Sequence, residues 1–248
     1  MSVAFAEIRV GEPIRHETLS VFPLFTKPGS EIDYLLSDGA IAAEAVIVKE
    51  VGESGSVPNL LVENTGDVRV LFLEGEELVG AKQNRILNTS VLVAAHSTTK
   101  TPVSCVEQGR WQSRTAHFSS GGTYSSSKLR HFLKASVSRS IKAEGSYSSD
   151  QGGVWREVAR QLEALGACSD TGAMSDTFET HRTRLDEFRE KVGYVDGASG
   201  LAVAVGEKLV ALDVFDKSST CQTVWDRLMS VRHSFFPRTG LGGKLTAS

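Results

Sequence analysis

Leu73-Glu-Gly-Glu-Glu-Leu-Val-Gly-Ala-Lys-Gln-Asn-Arg-Ile-Leu-Asn88 lies between Val70-Leu-Phe-Leu73 and Val91-Leu-Val-Ala94, two runs apolar enough to be buried strands. Residues 78–87 read as one arm of a hairpin against residues 90–95, with Asn88-Thr89 at the bend. Three carboxylates, a Lys, an Arg, a Gln and two Asn in this stretch exceed what a strand-rich core would take unless they form a site.

Working outward, the first hundred or so residues read as strands. Leu19-Ser-Val-Phe-Pro-Leu-Phe25 is apolar and aromatic, and Pro23 marks it as an edge or bulged strand because proline cannot donate to a ladder. Ile32-Asp-Tyr-Leu-Leu36 is a short helix or strand, and β-branched residues mark a strand over 42–49. Residues 59–63 and 68–73 make a hairpin around Asn64-Thr-Gly-Asp67, and residues 101–106 supply a further strand. This spacing points to a sandwich-like or barrel-like β unit over 15–111.

Composition then shifts. Ser119-Ser-Gly-Gly-Thr-Tyr-Ser-Ser-Ser127 reads as a polar connector. Three helices are expected between 128 and 191. The first is basic and amphipathic over 128–142. The second is capped by Asp150 or Ser149 and ended by Gly166. The third runs over 176–191 and is anchored by Phe178, Leu185 and Phe188. Residues 192–236 close the chain with a hairpin turning at Gly206-Glu207 and a helix over 218–231 that buries Val224, Trp225 and Leu228. The expected fold class is α+β in a single domain spanning 1–248: a β-rich N-terminal half, three central helices and a C-terminal strand-strand-helix.

With 40% apolar and 23% charged residues and a net charge of −3, the 248-residue chain can bury a core without disulfide or metal staples. Its charge balance gives no bulk attraction to nucleic acid or anionic membrane. Cys105, Cys168 and Cys221 are far apart, without a C-x-x-C pair, and the six histidines lack metal-ligand spacing, so no metal site is expected. No signal-peptide pattern opens the sequence and no apolar run is long enough to span a bilayer, so a cytoplasmic location is expected.

Gly75-Glu-Glu-Leu-Val-Gly-Ala-Lys82 has the glycines and lysine of a phosphate loop. It fails as one because Ala81 separates Gly80 from Lys82, no Ser or Thr follows the lysine, and Glu76 and Glu77 put negative charge where phosphate should lie. On a strand, Gln83 and Arg85 share one face while Lys82 and Asn84 share the other. A structural reading is therefore open, in which Glu74, Glu76 and Glu77 pair with Lys82 and Arg85 across a hairpin and Asn88 closes its turn. The functional reading draws on a second polar run, Pro102-Val-Ser-Cys-Val-Glu-Gln-Gly-Arg-Trp111. Carboxylates suit ribose hydroxyls, Arg and Lys suit phosphate, and an indole suits a base.

These two stretches, with Asp150-Gln-Gly-Gly-Val-Trp155 and Gly206-Glu-Lys-Leu-Val-Ala-Leu-Asp-Val-Phe215, resemble the signature stretches of the ARG and rhodanese-phosphatase-superfamily-associated protein domain family. The resemblance covers nearly the whole chain. It matches at Glu74, Glu76, Glu77, Lys82, Gln83, Asn84, Arg85, Asn88, Cys105, Glu107, Arg110, Trp111, Asp150 and Gln151. It implies a role around ADP-ribose, NAD or nucleotide conjugates, in company with ADP-ribosylglycohydrolases and rhodanese-like phosphatases and with a partner enzyme of ADP-ribose metabolism, and it names no cofactor.

Glu76, Glu77 and Glu107 are accordingly the candidate acid/base groups, and Cys105 is a candidate nucleophile if His96 or His117 serves as its base. Lys82, Gln83, Asn84, Arg85, Asn88, Arg110 and Trp111 are the candidate ligand-binding groups. A non-catalytic module that binds such a ligand or a partner enzyme is the alternative. Either functional reading requires residues 73–88 and 105–111 to meet in space.

Overall fold

The computed structural model describes residues 7–27, 32–52 and 54–230, apart from the side chains of 184, 188 and 230. Phe188 and the end of the expected closing helix and tail, 231–236, therefore lie outside what is described.

Six strands close into an antiparallel barrel: β5 (Val46–Glu50), β6 (Asn59–Asn64), β8 (Glu76–Gly80), β9 (Arg85–Leu87), β11 (Ser97–Cys105) and β12 (Phe118–Tyr124), in the order β11-β6-β5-β12-β8-β9. Val46, Val48, Leu60, Val62, Leu78, Leu87, Val103 and Phe118 alternate along these strands and form one buried cluster, which is the barrel interior. The opposite parity carries Ile86 and Val106. These pack under helices α2 (Ser127–Glu144) and α3 (Gln151–Leu165) with Leu129, Leu133, Val154 and Val158.

The expected α+β class holds, with a barrel in the β-rich half, but two hairpins pair differently. Residues 59–73 are not a hairpin: β6 pairs with β5 and β11, while β7 (Arg69–Phe72) pairs with β10 (Val91–Val93) and, in parallel, with β4 (Tyr34–Leu36). The Asn64 side chain diverts the chain between them, donating to the carbonyls of Val68 and Ala94 and accepting from Gly66 N–H. Residues 78–87 are themselves a hairpin, β8 against β9. It turns at Gly80, whose φ of 123° suits glycine, and Ala81, whose φ is 37°.

Ser119 to Ser127 is not a connector, because most of it is β12, between β8 and β5. Its glycines are there for geometry. A Cβ on Gly121 would come within 3.1 Å of the Glu77 carbonyl oxygen, and Gly122 takes a φ of 64° where the register shifts.

A second antiparallel sheet joins the two ends of the chain. β3 (Leu19–Thr26) pairs on one side with β1 (Ile8–Val10) and β2 (Ile14–His16), and on the other with β13 (Gly200–Val205), which continues to β14 (Lys208–Val214). β3 is thus not an edge. Pro23 is tolerated because its partner on that side is broken there: β2 pairs with residues 19–21, β1 with residues 24–26, and the Pro23 carbonyl accepts from Gly11 N–H at the gap. Over this sheet α6 (Ser218–Ser230) buries Val224, Trp225 and Leu228 against Leu19, Val21, Leu201 and Val203, as its apolar spacing requires.

Ser126 caps α2, Asp150 caps α3, and Gly145 and Gly166 end them in the left-handed conformation. The expected third helix divides at His181 into α4 (Ser175–Thr180) and α5 (Arg182–Lys191). The His181 ring lies 3.0 Å from the Leu165 carbonyl at the end of α3, which ties the break to that terminus.

Where β13 and β14 cross, a Cβ on Gly200 would come within 2.5 Å of the Asp213 carbonyl oxygen and 3.0 Å of Val214 Cα. Both neighbours are backbone, so Gly200→Ala is expected to lower stability by ~1–3 kcal/mol, read as a drop in the urea midpoint with an unchanged slope.

Candidate functional site

Closing the barrel puts Arg85 beside Cys105 on one side and Leu78 on the other, so its side chain follows the inward parity. Arg85 is fully buried. Its Nη1 donates to the Gln83 side-chain oxygen at 3.1 Å, and its Nη2 lies 3.5 Å from Glu50 Oε1. Glu50 follows the same inward parity at the end of β5. Both Glu50 carboxylate oxygens, together with Arg85 Nε and Nη2 and Thr101 Oγ1, are buried without a hydrogen-bond partner in the protein.

Over this interior group lies Trp111, half-exposed at 49%. Lys82 Nζ is 5.6 Å and Arg85 Cζ 5.7 Å from its ring centroid, so two cations flank one indole. A Cβ on Gly55 would meet Lys82 Cδ at 3.2 Å, Glu50 Oε2 at 3.3 Å and Trp111 Cζ2 at 3.5 Å, which fixes these three side chains around one point. Gln83, Arg85, Lys82 and Trp111 thus come together at the barrel mouth. Lys82 does so against the expectation that it shares a face with Asn84, because residues 81–84 form a turn and strand alternation does not apply there.

Glu107, Arg110 and Asn84 make a different unit. Arg110 donates from Nε to Glu107 Oε1 at 2.8 Å and from Nη2 to Oε2 at 2.6 Å, and reaches the carbonyls of Ala81 and Gln112 with Nη1. Glu107 also accepts from Asn84 N–H and Thr171 Oγ1. Burial raises this carboxyl, but the Arg110 bonds outweigh it and hold the group below the usual carboxylate range. The pair clamps the turn at 81–84 to the end of β11. Asn88, likewise, donates to the Tyr147 carbonyl and accepts from Ser104. The side chain of Gln151 closes the ladder beyond β11 by accepting from Cys105 N–H and donating to its carbonyl, both at 2.8 Å.

Glu76 stands apart from the other two carboxylates, whereas Glu77 and Glu107 both bond Asn84, and the Glu107 charge helps to raise Glu77. Glu77 faces outward beneath the helices, where Thr123 donates to it at 2.5 Å and burial pushes its carboxyl up to about 7. Glu76 meets two residues not singled out in the sequence, Asp38 and Arg227. Ser37 donates to Glu76, Arg227 lies 2.5 Å from Asp38 Oδ2 and 3.5 Å from Glu76 Oε1, and Leu73 N–H donates to Glu76 Oε2. Burial, with Asp38 alongside, pushes Glu76 up to about 8, while Arg227 and Glu76 hold Asp38 below its ordinary value against its own burial. One proton is shared by the two carboxyls. Burial also pushes the Cys105 thiol up to about 11, with Arg85 only partly opposing it.

Glu50, Asp38 and Arg227 were not legible as site residues. Glu50 ends a strand before a Gly/Ser/Pro loop, and the other two are remote in sequence from the polar runs. Among the described residues no group of three or more His, Cys, Asp or Glu could hold a metal ion, and no helix is long and apolar enough to cross a membrane.

A family model described as the ARG and Rhodanese-Phosphatase-superfamily-associated Protein domain matches residues 7–233. The chain belongs to this family. The match takes in the barrel, the helices that cover it and the sheet joining both ends of the chain, so the fold described here is that of the family's domain. The family's name records association with ARG and with the rhodanese-phosphatase superfamily. No curated protein and no solved structure matches the chain.

Two outcomes follow from these networks. Glu107→Ala leaves Arg110 buried and uncompensated and should cost ~3–5 kcal/mol in chemical denaturation. Glu76 takes up its proton near pH 8 when folded, against 4.5 for the ordinary carboxyl. Its contribution to stability is therefore full below about pH 4.5 and lost as pH rises through about 8. The urea midpoint of the parent should fall between about pH 5 and pH 8.5, and Glu76→Gln should show a shallower fall; an identical slope in both proteins would contradict the assignment.

Proposed function

We propose that the barrel mouth binds a nucleotide- or ADP-ribose-type ligand, and that this family domain works alongside enzymes of ADP-ribose or nucleotide-conjugate metabolism. The observation that carries this reading is the loose ion pair of Glu50 and Arg85, four of whose buried polar atoms have no hydrogen-bond partner in the protein, beside a half-exposed Trp111 flanked by Lys82. Burying such atoms unpaired costs free energy that a bound polar group can offset. Arg85 and Lys82 suit phosphate oxygens, the Glu50 carboxylate suits ribose hydroxyls, and the Trp111 face suits a base. Gln83 supports the Arg85 guanidinium, while Asn84, Asn88 and Arg110 act one step back by fixing the turn and the strand.

Within the proposal, recognition is favoured over chemistry at the mouth. The Cys105 thiol is held protonated by burial, and Glu107 is occupied by Arg110. Glu76, sharing its proton with Asp38, and Glu77 are the carboxyls left for proton transfer, in surroundings separate from the mouth. These surroundings favour a non-catalytic binding module over a site that processes its ligand, and turnover of an ADP-ribosyl or nucleotide substrate that is lost in Glu76→Gln or Glu77→Gln would exclude it.

Thermal-shift measurements with ADP-ribose, NAD and nucleotides test the binding site, because a ligand of the native state raises the melting temperature. A shift that falls in Trp111→Ala and Lys82→Ala is expected, with roughly tenfold weaker binding in each. Both residues reach the surface, so unliganded stability should stay within about 0.5 kcal/mol of the parent. No shift with any of these ligands, or shifts unaltered in both variants, would refute the proposal. If Arg85→Ala only loses stability while ligand shifts persist, Arg85 is an internal ion-pair partner and nothing more.

A further inference from the structure

Away from the barrel mouth, a cleft of about 210 Å³ opens between α2, β14 and the end of α6, lined by Tyr124, Arg130, Lys134, Asp213 and an apolar wall that includes Phe215 and Leu228. A second hollow of about 150 Å³ adjoins it and shares Arg130, Lys134, Leu212 and Asp213. Tyr124 is 1% exposed, yet its hydroxyl has no hydrogen-bond partner. Arg130 Nε is also buried without an acceptor, although Nη2 of the same guanidinium is bonded to Asp213. Lys134 reaches across the cleft to within 3.6 Å of Glu74 Oε1 and is otherwise well exposed.

Glu74 also lines the cleft, and its Oε1 accepts no hydrogen bond but has Lys134 within ion-pair distance, so the two buried donors are the groups that call for an outside acceptor. Arg227 stacks on the Tyr124 ring at 5.1 Å from behind, with its charge already met by Asp38 and Glu76. Burial, with Glu76 nearby, raises the phenol well above its ordinary value, so it stays a donor at any neutral pH. The apolar side of the cleft, Leu73, Leu212, Val214, Phe215 and Leu228, asks for a hydrocarbon body next to the charged group.

We propose that this cleft is a second ligand site, which takes the oxyanion of a small molecule with an apolar body, its oxygens accepting from Tyr124 Oη and Arg130 Nε while Lys134 closes over the rim. A carboxylate and a phosphate monoester share this chemistry. The site is independent of the barrel mouth, because none of its residues belongs to the group around Arg85 and Trp111.

Chemical-shift or calorimetric titration of the full chain with benzoate, phenyl phosphate and benzyl alcohol tests the proposal. Saturable binding of one or both anions, with benzyl alcohol at least tenfold weaker, is expected, and whichever anion binds more tightly identifies the headgroup. Tyr124→Phe removes only the hydroxyl and should weaken the anion by about tenfold, as the loss of one hydrogen bond to a charged group would. Lys134→Gln, an exposed change that does not threaten folding, should weaken it by a smaller factor, and Trp111→Ala should leave it unchanged. Equal binding of benzyl alcohol, no binding of either anion, or unaltered anion binding in both Tyr124→Phe and Lys134→Gln would overturn the proposal.

Discussion

The pairing of β9 with β11 sets Arg85 opposite Cys105 and closes six strands on themselves. Closure fixes which side chains point inward, and one of them is a guanidinium. In a barrel this small the interior is filled by side chains, so a charge placed there must find its partners among a handful of neighbours. It finds Gln83 and, more loosely, Glu50. The helices then cover the outer face that carries Ile86 and Val106, and the terminal sheet closes the remaining side with its own core.

The Arg110–Glu107 clamp explains how such an interior can be kept. The turn at 81–84 contains a residue of positive φ, Ala81, and gives up regular strand pairing. A bidentate ion pair with further bonds to the carbonyls of Gly80 and Ala81 holds that turn in place. The polar groups of this region thus divide between those that fix the backbone and those left with unmet hydrogen-bonding capacity. Only the second kind has reason to meet a ligand.

Much of this was legible in the sequence where periodicity or capping spoke directly. The ends of α3 follow from Asp150 and Gly166, and the closing strand-strand-helix follows from its apolar alternation and the spacing of Val224, Trp225 and Leu228. A sandwich-like or barrel-like unit followed from short strands and frequent turns, and closure decides for the barrel. Strand partners did not, because hairpin pairing is inferred from adjacency along the chain and β6 and β7 part company at Asn64. β12 was hidden by its composition: serine and glycine usually signal a loop, and here they serve a strand that runs too close to β8 for larger residues. The polar runs stood out by their composition between apolar strands. Their division into separate networks was not visible, because Asp38, Glu50 and Arg227, which decide it, carry no local signal.

The pairing of β3 with β13 joins residues 19–24 to residues 200–205. A chain made from its N-terminus must therefore hold β3 with one edge unsatisfied until nearly the whole sequence has been synthesised. The barrel strands lie closer together in sequence and can associate earlier, whereas the terminal sheet pays a long loop-closure entropy and forms late. During that interval Val21 and Leu24 lack their β13 neighbours, which leaves that edge of β3 open to mispairing with another nascent chain.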